Sequence, residues 1–100
     1  MSHPIPAFPK PVRLRSDAYI RWIRQQPCLV HPRSVPHAHH TTSRGAGGSD
    51  YRTVPLCFGC HNEIHQLGQA RFEERHAVSF NEEMLRLLET YLAAQNRGRP

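Results

Sequence analysis

Nowhere in this 100-residue chain do eighteen apolar residues run together, and no charged segment followed by an apolar stretch opens it. The first absence excludes a membrane-spanning helix and the second a secretory leader, so the sequence predicts a cytoplasmic protein with no membrane partner. Cysteine is scarce and odd in number. Three residues cannot form a complete disulfide set, and in a reducing compartment they read better as metal ligands. Acidic residues are also few. Eight Asp and Glu against thirteen Lys and Arg leave a net charge of +5, to which eight histidines add in mild acid. That balance favours a polyanionic partner, nucleic acid first. So short a chain makes one domain with a modest core, of the size that often needs a staple.

The pattern along the chain predicts an α+β domain without internal repeats. Pro4, Pro6, Pro9 and Pro11 remove backbone donors and hold residues 1–12 as an extended arm. A single domain follows over residues 13–95, and residues 96–100 form a frayed tail. Ser16 and Asp17 cap a short helix ending near Gln26, before Pro27, with Tyr19, Ile20, Trp22 and Ile23 as its core side. Residues 35–42 and 52–56 read as two short strands. The glycine-rich loop between them, 43–50, lacks the lysine and spacing of a P-loop. Helix resumes near His61 and stops at Gly68, and residues 69–76 form another short helix. Ser79-Phe80-Asn81-Glu82 fits a capping box and opens the last helix. Met84, Leu85, Leu88, Tyr91 and Leu92 give that helix its apolar stripe.

Two groups of metal-ligating residues stand out. Cys28-Leu29-Val30-His31 and Cys57-Phe58-Gly59-Cys60 repeat one two-residue gap and read as C-x2-H…C-x2-C, a Cys3His structural zinc site. Cys57 to His61 also fits the C-x-x-C-H of haem attachment, with Met84 as a distal ligand. That chemistry belongs outside the cytosol and leaves Cys28 and the His39-His40 pair unused, so zinc is preferred. The second group is His39, His40, His61 and His65. On a strand, His39 and His40 point to opposite faces, while His61 and His65 lie one helical turn apart. One strand histidine and the helical pair can hold an ion while the other strand histidine deprotonates water, the outline of a one-metal phosphodiesterase. His37 shares the face of His39 and is placed at the surface; His3 and His76 are given no role.

The order His-His, glycine-rich loop, acidic residue, Val-Pro-Leu-Cys-x2-Cys-His and then His resembles the HNH endonuclease family. It is most similar to the phage-associated branch in which an Asp precedes the VPLC segment. The resemblance covers about residues 28–72. It implies a ββα-metal (His-Me finger) core with a zinc-stapled hairpin, flanked by N- and C-terminal helices, that hydrolyses DNA phosphodiester bonds. His40 then stands as general base and His39 and His61 as ligands of the catalytic ion, with His65 a further ligand or a phosphate contact. Cys28, His31, Cys57 and Cys60 match the structural zinc set, although the first pair is usually Cys-x2-Cys. The family's middle Asn falls near Arg52, which cannot replace it; Asp50 takes its place as the carboxylate partner of His40.

Histidine-rich sites accept transition ions, so Mn2+ is the expected catalytic metal, with Zn2+, Mg2+ or Ni2+ as substitutes. Arg44 and Arg52 are the expected phosphate clamps, and Lys10, Arg13 and Arg15 form a basic run. No helix is shaped for reading base edges, which predicts nicking with low sequence specificity and leaves room for a protein partner that supplies it. A monomer would nick; a homodimer could cut both strands. The rival reading is a non-catalytic zinc module, binding nucleic acid or protein, with Cys57, Cys60, His61 and His65 around one ion.

Overall fold

A computed structural model of the chain describes residues 14–42 and 48–97. The predicted arm, Arg44 and most of the glycine-rich loop lie outside the described residues. The elements are α1 (Asp17–Ile23), β1 (Pro36–His40), β2 (Thr53–Cys57), α2 (Phe58–Leu67), α3 (Gln69–His76) and α4 (Phe80–Arg97). Together they make a small α+β fold: one two-stranded antiparallel sheet and four helices.

Ser16 caps α1 as its residue type suggests, its Oγ accepting from the Tyr19 N–H at 3.1 Å. The helix ends at Ile23, three residues before the expected stop. Gln25 and Gln26 instead donate to the carbonyls of Trp22 and Ile23 in tightened turns. Pro27 disfavours α geometry at the residue before it, so the last turn closes early.

β1 and β2 pair with His39 opposite Val54 and His40 opposite Thr53. All five residues of β2 are buried, although alternation would send every second one outward. The cause is cover on both faces. On one face Tyr19, Ile23 and Leu87 form a cluster joined by Ala38, Tyr51, Leu88 and Tyr91. On the other, Val54 and Leu56 pack with Ile64, Phe72, Phe80 and the three cysteines.

β2 passes into α2 with no loop, because Cys57 is both the last strand residue and the N-cap. The knuckle Phe58-Gly59-Cys60 is therefore the first helical turn, and α2 starts three residues before the expected His61. Gly68, at φ 83°, supplies the left-handed backbone that separates α2 from α3. Ser79 Oγ accepts from the Glu82 N–H at 3.4 Å, the forward half of the capping box. A second free donor of the first turn is met from outside, since Phe80 N–H donates to Glu73 Oε1 at 2.6 Å.

The stripe of α4 is corrected by one residue in its register. Leu87 is buried, whereas Leu85 and Leu92 are 59% and 50% exposed. Met84, Leu87, Leu88 and Tyr91 follow the i, i+3, i+4, i+7 spacing, and Leu85 and Leu92 stand a helical step to the side. No helix among the described residues is long and apolar enough to cross a membrane.

Candidate functional site

The Cys28 turn is held against β2 by Leu29 N–H, which donates to the Pro55 carbonyl at 3.1 Å. That bond sets Cys28 and His31 beside Cys57 and Cys60. The ligand atoms of all four lie within 4.8 Å of one another. Cys28 Sγ is 3.8 Å from Cys60 Sγ, and His31 Nδ1 is 3.2 Å from Cys60 Sγ and 3.7 Å from Cys57 Sγ. A tetrahedral zinc with bonds of about 2.3 Å to sulfur and 2.0 Å to nitrogen has edges of about 3.5–3.8 Å. The donors therefore already stand near the corners of such a tetrahedron, and the group can bind a structural zinc.

The electrostatics agree. Burial pushes the Cys28 thiol up, but N–H groups of His31, Cys57 and Val30 and the Cys60 thiol bring it below its usual value. Cys60 goes the opposite way, raised by burial and then by its Cys57 and Cys28 neighbours. Three buried sulfurs so close cannot all carry charge without a cation among them.

His61 and His65 belong elsewhere, which corrects the single-ion set drawn from Cys57, Cys60, His61 and His65. Strand alternation turns His39 toward α2 and His40 toward α1. His39 lies with its ring centroid 5.2 Å from that of His61 and 6.4 Å from that of His65. The Nε2 atoms of His61 and His65 are 3.3 Å apart. Burial, then His61, His65 and His40, pushes His39 down to about 4. His61 is lowered by burial, then by His65 and His37. Near neutral pH His39 therefore keeps its lone pair, the form in which imidazole ligates. Among the described residues, only the Cys3His group brings all its ligand atoms within 4.8 Å of one another.

His40 points into a different environment. Its Nε2 is 2.8 Å from Asp50 Oδ1, and Asp50 is 1% exposed. The other carboxylate oxygen accepts from the Ser16 N–H at 2.9 Å, and Arg15 Nη1 lies 3.5 Å from Oδ1. Thr53 Oγ1 donates to the Asp50 carbonyl at 3.0 Å. The buried Asp50 thus links the start of α1 and the end of β1 through its carboxylate, and the start of β2 through its main-chain carbonyl. A carboxylate at Nε2 fixes the proton there and leaves Nδ1 as the acceptor.

Asp50→Asn is expected to lower stability by about 2 kcal/mol, since charge-assisted bonds to a buried group are replaced by neutral ones. Denaturant unfolding of the zinc-loaded protein checks this. An unchanged midpoint would mean that the carboxylate does not organise this corner of the fold.

Arg52 is exposed beside this corner, its carbonyl accepting from Thr41 N–H and Oγ1 at 3.1 Å. Arg44 lies outside the described residues. His37 is exposed, as expected. Sequence reasoning missed His76, whose Nε2 lies 2.7 Å from Glu63 Oε1 and ties α3 to α2. Helical spacing alone could not show it, because the partners sit on different helices. It also missed the outer face of α1, where Arg21 and Arg24 line a cavity with His40.

The chain belongs to the DUF968 family, a family of unknown function whose profile matches residues 5–94. It is similar to the uncharacterized protein YdfU of Escherichia coli strain K12, with 35% identity over 63 residues. The match covers 58% of this chain and 18% of YdfU, so the chain spans well under a quarter of that relative. No solved structure matches it significantly.

Proposed function

We propose that this chain is a metal-dependent endonuclease of the HNH type, hydrolysing DNA phosphodiester bonds and nicking one strand with low sequence specificity. The observation that carries the reading is the split of the two adjacent strand histidines. His40 is held by a buried carboxylate at 2.8 Å, while His39 joins His61 and His65 across the sheet from it. A structural ion needs only one of these groups, and the Cys3His cluster already provides a staple. The hairpin β1–β2 followed directly by α2 fits a ββα-metal core.

In this mechanism His39, His61 and His65 would hold the catalytic ion, Mn2+ first and Zn2+, Mg2+ or Ni2+ in its place. The 3.3 Å between the His61 and His65 nitrogens suits neighbouring ligands of one ion. When bound, the ion neutralises charge on the phosphate and on the leaving oxygen. His40 Nδ1 takes the proton of the attacking water, and Asp50 keeps the ring in the tautomer that can do so. Arg52 is exposed beyond the His40–Thr53 pair, and its guanidinium would meet a phosphate of the DNA. The bound DNA is the partner; a further protein, not needed for cleavage, would supply choice of site.

Metal content separates this reading from a non-catalytic zinc module. Native mass spectrometry is expected to find one zinc retained through dialysis and a second, exchangeable Mn2+ lost selectively in His61→Ala. A single ion per chain under every condition would favour the binding module.

A further inference from the structure

The outer side of α1 carries positive charge next to His40. Arg21 on α1 and Arg24 at its C-cap are three residues apart in αR backbone, so both project to one side, and both are exposed. They line a cavity of about 350 Å³ whose other walls are Asp17, Ile20, Ala38, His40 and Asp50. Among the described residues neither guanidinium has a carboxylate within ion-pair distance.

The charge balance of the cavity decides what it can take. The Asp50 carboxylate is already shared among His40, the Ser16 N–H and Arg15. Only Asp17 then opposes the two arginines, which leaves about one uncompensated positive charge beside His40. A phosphodiester carries one negative charge and offers two non-bridging oxygens, the geometry that guanidinium groups match best. Ile20 and Ala38 give the wall an apolar patch suited to the sugar attached to that phosphate. A free phosphate would meet the same charges but gain nothing from the patch.

We infer that Arg21 and Arg24 clamp a backbone phosphate of the nucleic-acid strand beside the one presented to His40, an inference that rests on the nuclease reading above. The clamp is a positioning device: it fixes where the strand lies against the base and takes no part in proton transfer. It differs from Arg44 and Arg52, the clamps expected from the sequence, in lying on a helix outside the hairpin.

The test uses the full zinc-loaded chain carrying His40→Ala, so that DNA is bound but not cut. Fluorescence anisotropy with a labelled duplex is followed across a range of salt concentrations. Arg21→Gln with Arg24→Gln is expected to weaken binding about tenfold at low salt and to reduce the salt slope by about one. Arg21→Lys with Arg24→Lys keeps the charge and should keep most of the slope. Arg71→Gln with Arg97→Gln removes equal charge from exposed sites outside the cavity and should cost much less. In the cleaving parent the same Gln pair should raise KM more than it lowers kcat.

Equal losses in the cavity and control pairs would overturn the clamp, as would a Gln pair that binds like the parent. A parent that binds no DNA would overturn the clamp together with the nuclease reading. Circular dichroism separates all of these from misfolding, since both arginines are at the surface.

Discussion

On the proposed nuclease reading, His40→Ala is expected to remove DNA cleavage while the fold and both kinds of bound ion survive. His40 lies outside the Cys3His cluster and across the sheet from the His39, His61 and His65 group. Its loss leaves no orphan, because Asp50 keeps the Ser16 N–H and the Arg15 ion pair. The stability cost is therefore about 2 kcal/mol, that of one hydrogen bond to a charged group. The kinetic cost is of a different order. General base catalysis contributes about 10²- to 10⁴-fold, so cleavage should fall by at least two orders of magnitude at neutral pH. Plasmid cleavage and zinc content measured on one preparation check both halves. Cleavage at the parent's rate would move the base to another residue, and loss of zinc would mean that His40 supports the metal sites after all.

Cys60→Ala will empty the zinc site and unfold much of the domain. Cys60 is fully buried in the first turn of α2, and its sulfur lies 3.8 Å from Cys28 Sγ and 3.2 Å from His31 Nδ1. The cluster joins the turn before β1 to the β2–α2 junction, so without zinc those segments rest on a small apolar core. Structural zinc contributes about 10–16 kcal/mol of apparent binding free energy in small metal-dependent peptides. Net domain stabilities are about 5–15 kcal/mol, so loss of the ion is enough to abolish cooperative folding. Metal analysis and thermal melts will show it: no zinc and no sharp transition. A zinc-free Cys60→Ala protein that melts like the parent would show that the cluster is not the staple.

How much of this was legible in the sequence depended on how local the signal was. The Ser16 cap, the 69–76 helix and the Ser79 cap follow from residue types within one turn of one another, and they stand where expected. The two cysteine knuckles were visible as spacing, and the structure adds what spacing could not: the Leu29–Pro55 bond that brings them together. His31 departs from the usual Cys-x2-Cys pair, and the structure adds that its Nδ1 stands 3.2 Å from Cys60 Sγ. The start of α2 was misplaced because a cysteine can end a strand and cap a helix at once, which no propensity records. Leu87 was overlooked because two stripes one residue apart both satisfy helical spacing, and only packing against Tyr19 and Ile23 chooses between them. The pairing of His40 with Asp50, ten positions apart, was expected only through the family resemblance and is observed at 2.8 Å, while the Arg21–Arg24 face depends on how α1 crosses the sheet. Neither leaves a periodic trace.

The most direct measurement is on supercoiled plasmid, with zinc-loaded chain freed of loosely held ions and then supplied with Mn2+, Mg2+, Ni2+ or further Zn2+. The account predicts no cleavage before the addition and conversion to open circle after it, most strongly with Mn2+. Plasmid that stays supercoiled with every ion, while the chain remains folded and zinc-loaded, would contradict it.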